Sequence, residues 1–221
     1  TTVAGFTMSR TKEASPLKHN MITGSVMKSI LVFSLPYLLS TFLQTLYGLA
    51  DLFIIGRFDG VAGTTAVSIG SQVMHMLTVM IVGLAMGATV RIGRAVGAKD
   101  DAMAREAVGN TAALFMGLSV AATCLLLLGV NGILALLSTP EEAVSGTRAY
   151  LTVCFIGIPC ITAYNIISSI FRGMGDSKSP MVFVAIACAA NIALDVFFMG
   201  ALKLGPIGAA LGTSTRPIFT Y

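Results

Sequence analysis

Long apolar runs, broken by short polar or Gly/Pro-marked stretches, set the rhythm of this chain. A membrane-spanning helix needs about 20 mostly apolar residues, and runs of that kind lie at about 29–56, 62–89, 108–130, 147–171 and 180–200. A last run, 206–221, carries Arg216 and Pro217 where an apolar helix would continue, so it reads as a sixth span cut short. The first run exceeds the apolar core of a secretory signal peptide, about 7–15 residues, and is kept as a span. The pattern predicts an all-α polytopic membrane protein, with a polar tail over 1–28 and a transmembrane domain over 29–221. The connection "RIGRAVGAKDDAMAREAVGN" mixes both charge signs with apolar residues. It reads as an amphipathic helix lying on the membrane surface, or else as a solvated loop.

Composition sharpens this picture. With 55% hydrophobic and 11% charged residues and a mean hydropathy of +0.86, the chain has the bilayer as its solvent. The net charge of +4 is scattered between spans and forms no basic stripe with exposed aromatics, which argues against nucleic acid as a partner and for membrane lipids. Lys and Arg accumulate on the cytoplasmic side of spans. Arg10, Lys12, Lys18 and Lys28 precede the first span, Arg91, Arg94, Lys99 and Arg105 follow the second, and Arg172 and Lys178 follow the fourth; the opposite side has Arg57, Arg148 and Lys203. This imbalance predicts a multi-pass protein of the inner (plasma) membrane with its N-terminus in the cytoplasm. Cys124, Cys154, Cys160 and Cys188 lie within apolar runs, without Cys-x-x-Cys spacing, and read as packing residues.

Candidate chemistry follows from residues that cost energy where they stand. A charge at mid-bilayer costs about 2.5–3.5 kcal/mol on insertion scales, and of the acidic residues only Asp51 and Asp195 lie inside spans. Both stand near the outer ends of outward-running helices. Asn191 precedes Asp195 by one turn and shares its face, and Thr213 lies at a similar depth in the sixth span. Asp51 shares a face with Gln44, Tyr47 and Gly48, a polar stripe suited to a protein-enclosed cavity. The plainer reading makes both acids boundary residues, but a short Asp side chain cannot snorkel as Lys and Arg do. Gln72 and His75 in the second span, and Tyr164, Asn165 and Ser168 in the fourth, suit interhelical hydrogen bonds or substrate contact. His75 is also a candidate for proton traffic. Met74, Met76, Met80, Met86 and Met116 offer either an adaptable ligand surface or ordinary packing. Pro36 and Pro159 interrupt the first and fourth spans and mark hinges. Small residues at Gly83/Gly87 and Gly208/Gly212 allow close helix approach.

Taken together, "FSLPYLLSTFLQTLYGLADLFIIGR", "FRGMGDSKSPM", "NIALDVFFMG" and "GPIGAALGT" resemble, in order and spacing, the multidrug and toxic compound extrusion (MATE) transporters. The resemblance covers about 21–213. It implies one lobe, the N-terminal one, of a twelve-helix transporter whose two six-helix lobes flank a central cleft. It also implies export of cationic amphipathic drugs in exchange for H+ or Na+, with no other cofactor and no catalytic residues. Matching positions imply a cation site at Asp51, Asn191, Asp195 and Thr213, the constellation that depth and polarity select. The C-terminal lobe of the same polypeptide is the implied missing partner.

Two carboxylates in a poorly solvated pocket cannot both ionise cheaply. Such a pair can take up a proton, or hold Na+ with the Asn191 and Thr213 oxygens as further ligands. Gln44, Tyr47, Gln72, His75 and Asn165 are the candidate substrate-cavity residues, and Pro36 is the candidate hinge. One rival reading is a lipid-linked precursor flippase of the same superfamily, whose cavity should carry Arg or Lys; no span interior does. Another is an intramembrane enzyme, yet no catalytic motif surrounds either aspartate.

Overall fold

Backbone polar groups find no water inside a bilayer, so a spanning segment must satisfy them within itself or in a closed barrel. The computed structural model, which describes residues 26–215, meets this requirement with helices. They are α1 (Val26–Phe58), α2 (Gly60–Gly97), α3 (Asp101–Leu136), α4 (Glu141–Ile156), α5 (Ile158–Gly173), α6 (Lys178–Asp195) and α7 (Pro206–Thr215), with a π-helical extension of α6 over Val196–Ala201. Most of the expected tail, and the expected interruption at Arg216 and Pro217, lie outside the described residues.

Ile30–Phe58, Gly60–Gly97, Asp101–Leu136 and Lys178–Ala201 are each long and apolar enough to cross a membrane, and α4 with α5 forms a further candidate span bent by 52°. The described part of α7 has 10 residues. The bend falls at Gly157, and Pro159 sits in the first turn of α5, where its missing N–H breaks no helix bond. Helix α1, in contrast, runs unbroken through Pro36.

No surface-lying helix forms over 91–110. Residues 91–97 prolong α2, residues 101–110 open α3, and a tight turn joins them with Lys99 at φ 58°. Asp100 explains the restart: its Oδ1 accepts a hydrogen bond from the Met103 N–H at 2.9 Å, and Asp101 adds negative charge to the first turn. The mixed charges therefore belong to the exposed ends of two long spans.

The main apolar core centres on α4 and the start of α5. Tyr150, Leu151, Cys154, Phe155, Ile158 and Ile161 are buried against Ile54 and Ile55 of α1, Val67 and Met74 of α2 and Ala209 and Ala210 of α7. Gly70 is what lets α2 approach α4, because a Cβ there would collide with the Tyr150 ring. Of the two small-residue pairs expected at helix contacts, Gly208 and Gly212 are buried between α7 and α6. Gly83 and Gly87 are not at a contact: nothing lies within 4 Å of a Cβ placed at either. Cys154 and Cys188 are buried and Cys124 and Cys160 exposed, all as free thiols.

Candidate functional site

Helices α1, α2 and α4–α7 enclose a cavity of about 410 Å³. From α1 it takes Gln44, Tyr47, Gly48 and Asp51, the stripe that a 3.6-residue period puts on one face. Helix α2 contributes Gln72 and His75, again one turn apart, together with Ser71 and Thr78. Tyr164 and Asn165 of α5 and Thr213 of α7 complete the polar part of the wall. Gln44, Tyr47, Gln72, His75 and Asn165, the substrate-cavity candidates of the sequence, are therefore on this one surface, whereas Ser168 is buried away from it. Among the methionines, Met74 is buried on the wall, whereas Met76, Met80, Met86 and Met116 are exposed and line neither this cavity nor its rim.

The acidic residues occupy two adjoining layers. Asp51, 6% exposed, faces the cavity, while Asp195 and Asn191, both 0% exposed, lie behind the wall on α6. The contact that seats them is glycine-dependent: a Cβ at Gly212 of α7 would collide with Asp195 Oδ1 and stand 3.3 Å from Asn191 Nδ2. The next residue, Thr213, turns to the cavity and makes a side-chain hydrogen bond with Tyr150, whose hydroxyl is close enough to Asp51 to feel its charge. Consecutive residues of α7 thus join the hidden pair to the cavity-facing acid. The Asn191 amide is completely buried, and neither Nδ2 nor Oδ1 has a hydrogen-bond partner among the described residues.

Tyr150 is the residue that sequence reasoning missed. It stands close to the start of the expected fourth span, 147–171, at a depth that drew no attention to it. Helix α4 begins earlier, at Glu141, which carries Tyr150 inward to a position only 1% exposed. The acidic pair at Glu141 and Glu142, favourable at a helix start, was the available signal. Pro36 is buried on α1 away from the cavity lining; the Ser40 hydroxyl donates to its carbonyl at 2.8 Å, and the neighbouring Tyr37 ring lies 5.6 Å from the Arg172 guanidinium of α5. No group of His, Cys, Asp and Glu that could hold a metal ion by itself occurs among the described residues.

The sequence profile of the MatE family matches residues 36–197. A probable multidrug resistance protein, YoeA of Bacillus subtilis, is 31% identical over 201 residues, covering 89% of this chain and 43% of that protein. The multidrug export protein MepA of Staphylococcus aureus is 27% identical over 191 residues, covering 86% of this chain and 42% of its own length. Among solved structures, the outward-facing conformation of a multidrug resistance MATE family transporter of the MOP superfamily superposes with a TM-score of 0.83 at 28% identity, covering 89% of this chain and 44% of the other. The chain spans less than half the length of these proteins.

Proposed function

The chain belongs to the MatE family, and on that premise we propose that it is one lobe of an ion-coupled antiporter exporting cationic amphipathic compounds across the inner membrane. It is a multi-pass membrane protein. Its N-terminus is cytoplasmic in this reading, and a second lobe completes the cleft. The coupling ion is H+ or Na+, taken up by Asp51, Asp195, Asn191 and Thr213.

The observation that carries the reading is the continuity of this site with the cavity. Asp51 and Thr213 are on the cavity wall, and Asp195 and Asn191 are packed directly behind it against Gly212. A buried carboxylate pair needs a compensating proton or cation, and carboxylate, amide and hydroxyl oxygens suit a hard cation such as Na+. Any change in occupancy therefore acts on the packing of α1, α6 and α7 around the cavity. Movement of α1 about Pro36 would then alter the cleft, provided that ion and drug favour different states. A cationic substrate is favoured by a wall that carries Asp51 and, among the described residues, no Lys or Arg. The same wall disfavours a flippase for pyrophosphate lipids.

Uphill export by the full-length protein in liposomes, under an imposed proton or sodium gradient, tests this beside equilibrium drug binding. Asp51→Asn and Asp195→Asn should each lower ion-driven export at least about tenfold with drug affinity largely kept, and the double variant should cost little more than either. Wild-type pumping by both single variants would move the coupling site out of this lobe.

A further inference from the structure

A second cavity, of about 370 Å³, opens where α2 and α3 meet the end of α5. Ile92 and Val96 of α2, Val108 and Gly109 of α3 and Met174 after α5 give it apolar walls, and Arg105 is its charged lining residue. It shares no lining residue with the export cavity.

Its level in the membrane follows from helix length. Helices α2 and α3 have 38 and 36 residues, hence about 57 and 54 Å at roughly 1.5 Å per residue, against a hydrocarbon core of about 30 Å. The apolar run of α2 gives out at Arg91 and Arg94, and that of α3 begins after Arg105 and Glu106. The groove therefore straddles the level at which headgroups replace acyl chains.

We propose that this groove binds an anionic glycerophospholipid, with an acyl chain along Val96, Val108 and Gly109 and the phosphate at Arg105. Charge complementarity supports that occupant. Arg105 lines the groove and is exposed, and Arg91, Arg94 and Lys99 are exposed on the same end of α2 and the turn after it, whereas the acids of the turn have local work: Asp100 caps α3, Asp101 lies in its first turn, and Glu106 Oε1 accepts from Asn110 Nδ2 at 3.4 Å. Basic residues at this level each favour an anionic headgroup, and the apolar walls reward a chain that free phosphate lacks. The N-terminal segment of the chain is a poor alternative, because Arg10, Lys12 and Lys18 outnumber Glu13 there and repeat the sign of the rim.

The test uses the full-length protein, delipidated in detergent and offered equal amounts of phosphatidylglycerol and phosphatidylcholine, with retained lipid counted by native mass spectrometry. Phosphatidylglycerol should be retained several-fold over phosphatidylcholine. Arg105→Gln should cut that preference about fivefold, the effect of one basic residue near the surface. Gly109→Leu should lower retention of both lipids by filling the groove; nothing lies within 4 Å of a Cβ there, so folding should survive. Lys203→Gln, on the opposite membrane face, should change nothing. Equal retention of the two lipids overturns the proposal, as does a loss in Lys203→Gln as large as in Arg105→Gln, since diffuse charge would then suffice. Competition by glycerol phosphate at the same concentration also overturns it, because a chainless headgroup would then fill the site.

Discussion

Helix α1 and the bent pair α4–α5 are both apolar, yet they sit in the lobe in opposite ways. Leu31, Leu35, Leu38, Phe42, Leu46, Leu49 and Phe53 of α1 are exposed, and its burial is concentrated at Asp51, Ile54 and Ile55 with Pro36 and Ser40 further back. Along α4 and α5, in contrast, Tyr150, Leu151, Cys154, Phe155, Ile158, Ile161 and Ile166 are all buried. In water the exposed leucines of α1 would be a liability. In lipid they cost nothing, because hydrocarbon is as apolar as the residues themselves. The difference teaches that α4–α5 is the scaffold, while α1 is buried most deeply near the acidic site and elsewhere rests one face on its neighbours, Leu43 and Tyr47 packing against Val184, Cys188 and Tyr164.

The largest effect that can break this contrast is cavity creation. Phe155→Ala removes a fully buried ring from the middle of the core and should cost about 3–5 kcal/mol. Phe42→Ala, at an α1 position 59% exposed, should stay within about 0.5 kcal/mol. Thermal unfolding of both variants in the same detergent provides the measurement, and similar melting shifts would remove the distinction between the buried scaffold and the helix with one exposed face.

That contrast also explains what the sequence could convey. Hydropathy found the apolar runs because their length is set by bilayer thickness, and Asp51, Asn191, Asp195 and Thr213 stood out because polar atoms are costly in lipid. Which apolar side of a helix packs inward was not legible, since lipid and protein reward the same residues. Gly83 and Gly87 are a case in point: their spacing matched a helix contact, but they are exposed, while Gly70, alone in its turn, is the glycine that meets Tyr150. The turn at Lys99 was hidden for a different reason, because residues 91–97 and 101–110 are polar enough to leave the membrane and still helical enough to prolong their spans.

A smaller effect probes the packing around the acidic site. Gly212→Ala places a methyl group against Asp195 and Asn191 and should destabilise the protein by about 1–3 kcal/mol, the usual cost of overpacking. Gly48→Ala on α1 meets nothing within 4 Å and should be neutral or slightly stabilising, since glycine in a helix interior is worse than alanine by roughly 0.5–1 kcal/mol. Unfolding in a denaturant series separates the two. Equal tolerance at both positions would mean that α7 does not clamp the acidic pair.

Tyr150→Phe is the mildest change and the most informative about how the scaffold meets the site. The ring stays, so the contact with Gly70 is kept and only the hydroxyl is lost. That hydroxyl bonds to Thr213 and lies near Asp51, and Thr213 adjoins the glycine that seats Asp195. Stability should fall by only about 1 kcal/mol, the net value of a typical hydrogen bond. Ion-driven export should fall further than stability does, because the hydroxyl bonds to the helix that holds Asp195 and lies near the carboxylate of Asp51. Melting temperature and export under a fixed gradient, measured on one preparation, give the two readings. If export falls no further than the protein loses folded population, Tyr150 serves the core alone, and the two acidic layers act on each other without it.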